Sequence, residues 1–187
     1  YILIDADYSQ IELRLLAAIS GDENMTQAFV DGMDIHTSTA SKVFGVEPEQ
    51  VTLELRKCAK AVNFGIVYGI GDFSLAQDIG TTRKIAKEYI DSYFAAYPGI
   101  DTYLRDVVAD AKQKGYVETL FGRRRYLPEL SASNKNIQNF GKRVAMNTPI
   151  QGTAADIIKI AMIKVSERLA REIPAARLIL QVHDALI

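Results

Sequence analysis

Arg56, Lys60, Phe64 and Tyr68 follow one another at intervals of four. That spacing is helical, and on a helix the four side chains share one face. The face is graded, from two cations to two rings. At about 1.5 Å rise per residue it is roughly 18 Å long. A molecule that is anionic at one end and flat and aromatic at the other, such as a nucleoside triphosphate, matches that order and length. A helix with its rings in a core and its cations in water satisfies the spacing equally well. Gly65 lies inside the stripe and Gly69 closes it. A helix-interior Gly costs about 1 kcal/mol against Ala, so two of them predict something pressed against the backbone here.

The stripe sits within a chain of 187 residues that is 48% hydrophobic, enough for one domain with a real core or for two small lobes. Periodicity predicts a buried strand over 1–6, then helices over 10–20, 23–31 and 35–44. Pro48 is expected to open the stripe helix, with Glu47, Glu49 and Glu54 at its N-terminal end. Further helices are expected over 73–79, 82–96 and 100–114. A hairpin follows, with strands over 116–120 and 125–127. Residues 134–173 are helical in pattern but contain Pro149 and Gly152, which predict a kink or break. A strand over 177–183 turns at Asp184 into another. A chain that starts and stops in strand-like segments reads as a piece of a larger protein.

The net charge is −1, which conceals an asymmetry. Residues 1–55 hold ten acids and two bases, whereas 112–143 hold eight bases and two acids. Local fields rather than totals attract partners, so the first region suits cations and the second suits phosphates, although both are also what an ordinary solvated surface looks like. The single cysteine, Cys58, cannot form an internal disulfide, and a reducing cytoplasm is the default setting. It lies two residues from both Arg56 and Lys60, off the stripe face, and reads as a small packed side chain. No apolar stretch is long enough to cross a bilayer, so a membrane partner is not expected.

Asp7 follows the first apolar segment and Asp184 follows the last. Placing those two strands side by side would bring the carboxylates together. Their repulsion is commonly relieved by a divalent cation, and Mg²⁺ takes one or two carboxylates plus substrate phosphates. Two such ions can activate a hydroxyl and stabilise a leaving group in an in-line phosphoryl displacement. Each Asp alone equally well ends a strand.

Taken together, these segments resemble the family A DNA polymerases. Residues 7–14, DYSQIELR, resemble motif A; Arg56-x3-Lys60-x3-Phe64-x3-Tyr68-Gly69 resembles motif B; Gln181-Val182-His183-Asp184 resembles motif C. Order and separation also fit, and the resemblance covers essentially the whole chain. It implies an α+β, mostly helical fold: a palm with a small antiparallel sheet, formed by 1–34 and 131–187, with helical fingers inserted over 35–130. Thumb and exonuclease regions would lie outside these residues.

The resemblance also implies roles. Asp7 and Asp184 would hold two Mg²⁺ ions, with the backbone carbonyl of Tyr8 as a further ligand. Arg56, Lys60 and His36 would meet the triphosphate of an incoming dNTP, and Lys60 would protonate the leaving pyrophosphate. Phe64 would pack on base and sugar, with Tyr68 behind it. Gln10 would also contact the nucleotide, and Glu12 in the same motif would fill the space of a ribose 2′-OH. Primer-template DNA would be met by Arg143, Asn147 and Gln151 on one helix face, by His183, and by Arg123 and Arg124. The setting would be the bacterial cytoplasm, near the nucleoid. One departure stands out: Ala185 occupies a position where the family usually has Glu. Two other readings share parts of the pattern. A single-subunit RNA polymerase has similar motifs, though Glu12 and Phe64 argue against it. A nucleotide- and DNA-binding module without catalysis is the other.

Overall fold

The computed structural model of the chain describes residues 2–187. The first strand, β1 (Ala6–Asp7), leads into α1 (Ile11–Ser20), α2 (Glu23–Val30) and α3 (Ile35–Phe44). Then come α4 (Leu53–Val67), α5 (Asp72–Ile79), α6 (Arg83–Ala96) and α7 (Pro98–Lys114). The hairpin β2 (Tyr116–Glu118) and β3 (Arg124–Tyr126) precedes the long helix α8 (Lys135–Glu172), and β4 (Gln181–Val182) and β5 (Ala185–Leu186) close the chain. The architecture is α+β and mostly helical, as the patterning predicts.

Local chemistry explains most boundaries. Asp22, Asp34, Thr52 and Thr82 each accept a backbone N–H from the first turn of the helix they precede. Gly21, Gly45, Gly80 and Gly115 end α1, α3, α5 and α7 in the left-handed conformation. Asp22 also ties two helices together. Its second carboxylate oxygen accepts the Gly99 N–H at 2.9 Å, and a Cβ on Gly99 would stand only 2.9 Å from the Asp22 Cα.

One core spans nearly the whole chain. Leu13, Leu16 and Met25 pack with Ile35, Val62 and Val67, with Tyr93 and Tyr97, and with Ile150 of α8. A smaller cluster under the hairpin joins Ala111, Val117, Leu127, Leu130 and Ala145. The sheet that matters for function is short. Strand β1 pairs antiparallel with β5, and β5 with β4, in the order β1-β5-β4.

Several expectations need correction. The predicted buried strand over 1–6 is strand only at Ala6–Asp7, and Ile2, Leu3 and Ile4 are exposed, because no described residue covers them; Tyr1 lies outside the described residues. Pro48 opens a 3₁₀ turn, Pro48–Gln50, not the stripe helix, which starts five residues later behind its Thr52 cap. The strand expected over 177–183 is reduced to Gln181–Val182, although Ile179 and Leu180 still exchange backbone hydrogen bonds with Ile187. Arg124 belongs to strand β3 rather than to the hairpin turn. Of the expected kink or break, the break is absent: α8 runs continuously through Pro149 and Gly152. Pro149 removes one N–H, but Ile150, Thr153 and Ala154 are buried around it, and that packing carries the helix through.

Candidate nucleotide and carboxylate cleft

The two end strands do bring the aspartates together. Asp7 lies directly across from Ala185 in the β1–β5 register, one residue from Asp184, and the Tyr8 N–H donates to the Asp184 carbonyl at 3.2 Å. Partial desolvation and the neighbouring Asp184 charge push the Asp7 carboxyl above the usual carboxylate range. Because Ala185 is the residue opposite Asp7, it is where a third carboxylate would stand in a chain with Glu there.

These aspartates line one wall of an open cleft of about 680 Å³. The opposite wall is α4, which contributes Arg56, Lys60, Phe64 and Tyr68, and His36 of α3 and Gln151 of α8 border the space between. Gln10, Glu12 and His183 complete the gathering of predicted residues. Among the described residues, Gln10 (φ 56°) and His183 (φ 53°) are the only non-glycine residues with positive φ, and both line this cleft. Left-handed backbone at such residues costs of order 1–3 kcal/mol and concentrates at functional sites.

The stripe departs from a plain helix at its far end. Tyr68 is the C-cap residue, its N–H still donating to the Phe64 carbonyl at 3.1 Å. Its hydroxyl donates to Glu12 at 3.0 Å. Desolvation, with the Glu12 charge and hydrogen bond, raises the phenol to about 12, so it stays a donor at any working pH. Glu12 is thereby held from across the cleft. At the near end, Arg56 forks onto Asp34, Nε to Oδ1 at 3.0 Å and Nη2 to Oδ2 at 2.7 Å. This pair holds the Asp34 carboxyl far below its ordinary range. Lys60 has no ion-pair partner among the described residues, and its Nζ lies 6.0 Å from the Phe64 ring centroid.

His36 is buried, and burial first, then the Arg56 and Lys60 charges, lower its pKa despite Asp34. The folded state thus binds its proton less readily than the unfolded chain, so stability rises with pH across the window below about 6.5. Melting temperature is expected to fall as pH is lowered through that window, and to fall less in His36→Gln. Parallel thermal melts between pH 7.5 and 5.5 check this; equal slopes would refute it.

The two glycines answer to protein, not to a ligand. A Cβ on Gly65 would meet the Ile70 side chain at 2.6 Å; one on Gly69 would meet Met146 Cε at 2.5 Å and Arg143 Cγ at 3.0 Å. Gly69 has φ +67°, so it both turns the chain and seats the end of α4 on α8. Gly69→Ala is expected to destabilise the fold by about 1–2 kcal/mol from the left-handed backbone, with the crowding at Met146 added. Denaturant unfolding measures the loss; a loss no larger than the backbone part would show that α8 yields freely, and an unchanged stability would refute the backbone argument.

Other predicted residues stand apart from the cleft. Arg123 donates to the Gly152 carbonyl and pairs with Asp156, both at 2.9 Å. Arg124 pairs with Glu118 at 3.1 Å and lies over the Tyr116 ring. Both therefore have protein partners. Arg143 is exposed, and the buried Nδ2 of Asn147 has no hydrogen-bond partner. Cys58 is half-buried, as expected. Sequence reasoning missed Asp34 and Asn63. The Asp-Ile-His-Thr cap before α3 and a lone Asn between the apolar Val62 and Ile66 were the available signals.

Fold and cleft together define a class: a helical wall of cations and rings facing a small antiparallel sheet that carries paired carboxylates. Over residues 1–187 the sequence matches DNA polymerase family A. It is 58% identical to DNA polymerase I of Geobacillus stearothermophilus over 187 residues, 100% of this chain and 21% of that protein. DNA polymerase I of Bacillus subtilis (strain 168) is 57% identical over the same 187 residues, again 100% and 21%. The POL domain of Pol1 from M. smegmatis, solved in complex with DNA primer-template and dNTP, superposes with a TM-score of 0.91 at 45% identity, covering 97% of this chain and 32% of that one. The chain belongs to DNA polymerase family A. It spans about a fifth of the length of the curated relatives it matches, and its family uses divalent metal ions. No helix among the described residues is long and apolar enough to cross a membrane.

Proposed function

We propose that this chain is the nucleotide-binding and catalytic part of a bacterial DNA-directed DNA polymerase, adding deoxynucleotides to a primer 3′-OH under template direction. The observation that carries the reading is the convergence, on one cleft, of the Asp7–Asp184 pair with the Arg56–Lys60–Phe64–Tyr68 stripe. Residues 1–34 and 131–187 would act as palm and 35–130 as fingers, with one core shared across both limits.

The residues present fit a divalent cation. Two carboxylates lie side by side, Asp7 raised by desolvation and then by Asp184, and a cation between them would relieve the repulsion. No cluster of three or more His, Cys, Asp or Glu suited to a metal occurs among the described residues. That suits Mg²⁺, which completes its shell with water and substrate phosphates. Asp7, Asp184 and the Tyr8 carbonyl would hold two ions. The chemistry such ions supply is activation of the primer hydroxyl and neutralisation of charge on the leaving oxygen.

The chain's own groups bind and orient. Lys60 and Arg56 would grip the triphosphate, Arg56 by exchanging Asp34 for phosphate oxygens. Phe64 would stack on the base and sugar. Glu12, held by the Tyr68 hydroxyl, would be a fixed wall at the sugar and so exclude a 2′-OH. On α8, Arg143 and Gln151 would meet base or sugar acceptors, with Asn147 between them on the same face. His183 would meet the primer end. Arg123 and Arg124 are better suited to bracing the hairpin, with any template contact made by what their partners leave free.

The deciding experiment is primer extension by a full-length protein carrying this segment, with dNTPs and NTPs compared in Mg²⁺. Deoxynucleotide-selective extension is expected. Equal use of ribonucleotides would favour the RNA polymerase reading, and tight primer-template and nucleotide binding without product would favour a binding module.

A further inference from the structure

Behind the cleft runs a line of buried polar groups, of which only His36 borders the cleft. Tyr97, Thr39, Asn63 and His36 are all buried, and they come from α3, α4 and the α6–α7 junction. Thr39 Oγ1 donates to Asn63 Oδ1 at 3.1 Å. Having one proton, Thr39 must then accept from the Tyr97 hydroxyl, also at 3.1 Å. With its oxygen so used, Asn63 turns its amide nitrogen toward His36 Nδ1, 3.1 Å away. An NH₂ group can only donate, so Nδ1 is an acceptor and the neutral ring carries its proton on Nε2.

His36 borders the cleft, and among the described residues no hydrogen bond engages its Nε2. A neutral imidazole in this tautomer presents one N–H donor there. The charged groups that face the ring are Asp34 on its own helix and Arg56 and Lys60 on α4. Both cations disfavour a second proton on the ring, and burial does too.

We propose that Asn63 is the positioning residue for His36, and that the Tyr97–Thr39–Asn63 line locks the imidazole as an Nε2–H donor to an anionic oxygen of the bound nucleotide. The nucleotide as ligand rests on the function proposed above; the tautomer does not. Polar groups in a core cost stability if unpaired, and here each is paired with the next in one direction, which leaves only the His36 Nε2 for the cleft. The line therefore fixes where a proton sits and in which direction it can be given.

The test compares variants in the full-length protein carrying this segment, read as KM for dNTP, kcat and their pH profiles. Asn63→Ala and Thr39→Val are expected to raise KM about tenfold with little change in kcat, the loss of one hydrogen bond to a charged acceptor. Asn63→Asp is the discriminating variant, because a carboxylate accepts from Nδ1–H and favours a doubly protonated ring. It should bind nucleotide well at low pH and lose that binding as pH rises through the ring's raised pKa, whereas the unmodified protein stays flat. Primer-template affinity, measured alongside, should not move in any variant. A flat KM profile in Asn63→Asp, or an unchanged KM in Asn63→Ala and Thr39→Val while His36→Ala raises it, would overturn the proposal. If the unmodified protein does not extend a primer, the function reading has failed; ring protonation followed by NMR on histidine-labelled protein then tests the tautomer alone. An Nδ1–H ring would refute it and an Nε2–H ring would uphold it.

Discussion

Replacing Asp184 by Ala in a full-length protein carrying this chain is expected to cut Mg²⁺-dependent primer extension by about a thousandfold or more, because it removes half of the Asp7–Asp184 pair that lines the cleft. The fold should survive. Asp184 sits in a turn, and its contribution to the sheet, acceptance of the Tyr8 N–H, is made by the backbone carbonyl, which Ala keeps. Its charge is one of the causes that raise the Asp7 carboxyl, so its loss also lets Asp7 ionise more readily. The expected result is therefore an inactive protein that melts no lower than the parent. Single-turnover extension and thermal unfolding measure the two halves. Undiminished extension would refute the metal assignment, and a large fall in melting temperature would mean that the carboxylate is structural.

What could be read from the sequence follows the range over which each cause acts. The stripe was legible because helical periodicity is local, and Arg56, Lys60 and Phe64 do share a face of α4. The meeting of Asp7 and Asp184 was legible because polar residues at the ends of apolar strands converge once the strands pair. The lengths of those strands were not, because pairing stops where partners stop, and Ile2 to Ile4 find none among the described residues. Pro149 shows the same override: its local rule predicts a kink or break, and burial on α8 keeps the helix unbroken. Arg56–Asp34 and Asn63–His36 link residues 22 and 27 positions apart, so the contacts that set their geometry exist only after α3 packs on α4. The two stripe glycines were flagged by cost alone. Cost says that something presses close, but not that it is Ile70 and Met146 rather than a nucleotide.

The other large effect is expected at Lys60. Arg56 is already committed to Asp34, whereas Lys60 has no ion-pair partner among the described residues, so it is the cation readiest to meet an incoming phosphate. If it both grips the triphosphate and gives a proton to the leaving pyrophosphate, its two roles can be separated. Lys60→Ala should raise KM for dNTP and lower kcat by about 10²–10⁴, the usual range for a lost general acid. Lys60→Arg restores a cation of similar reach, so KM should recover. Arginine does not release its proton in proteins, so kcat should stay low. Steady-state and single-turnover kinetics on the two variants read this split directly. Full recovery of kcat in the Arg variant would leave Lys60 with charge alone as its contribution, and the proton would have to come from elsewhere in the cleft.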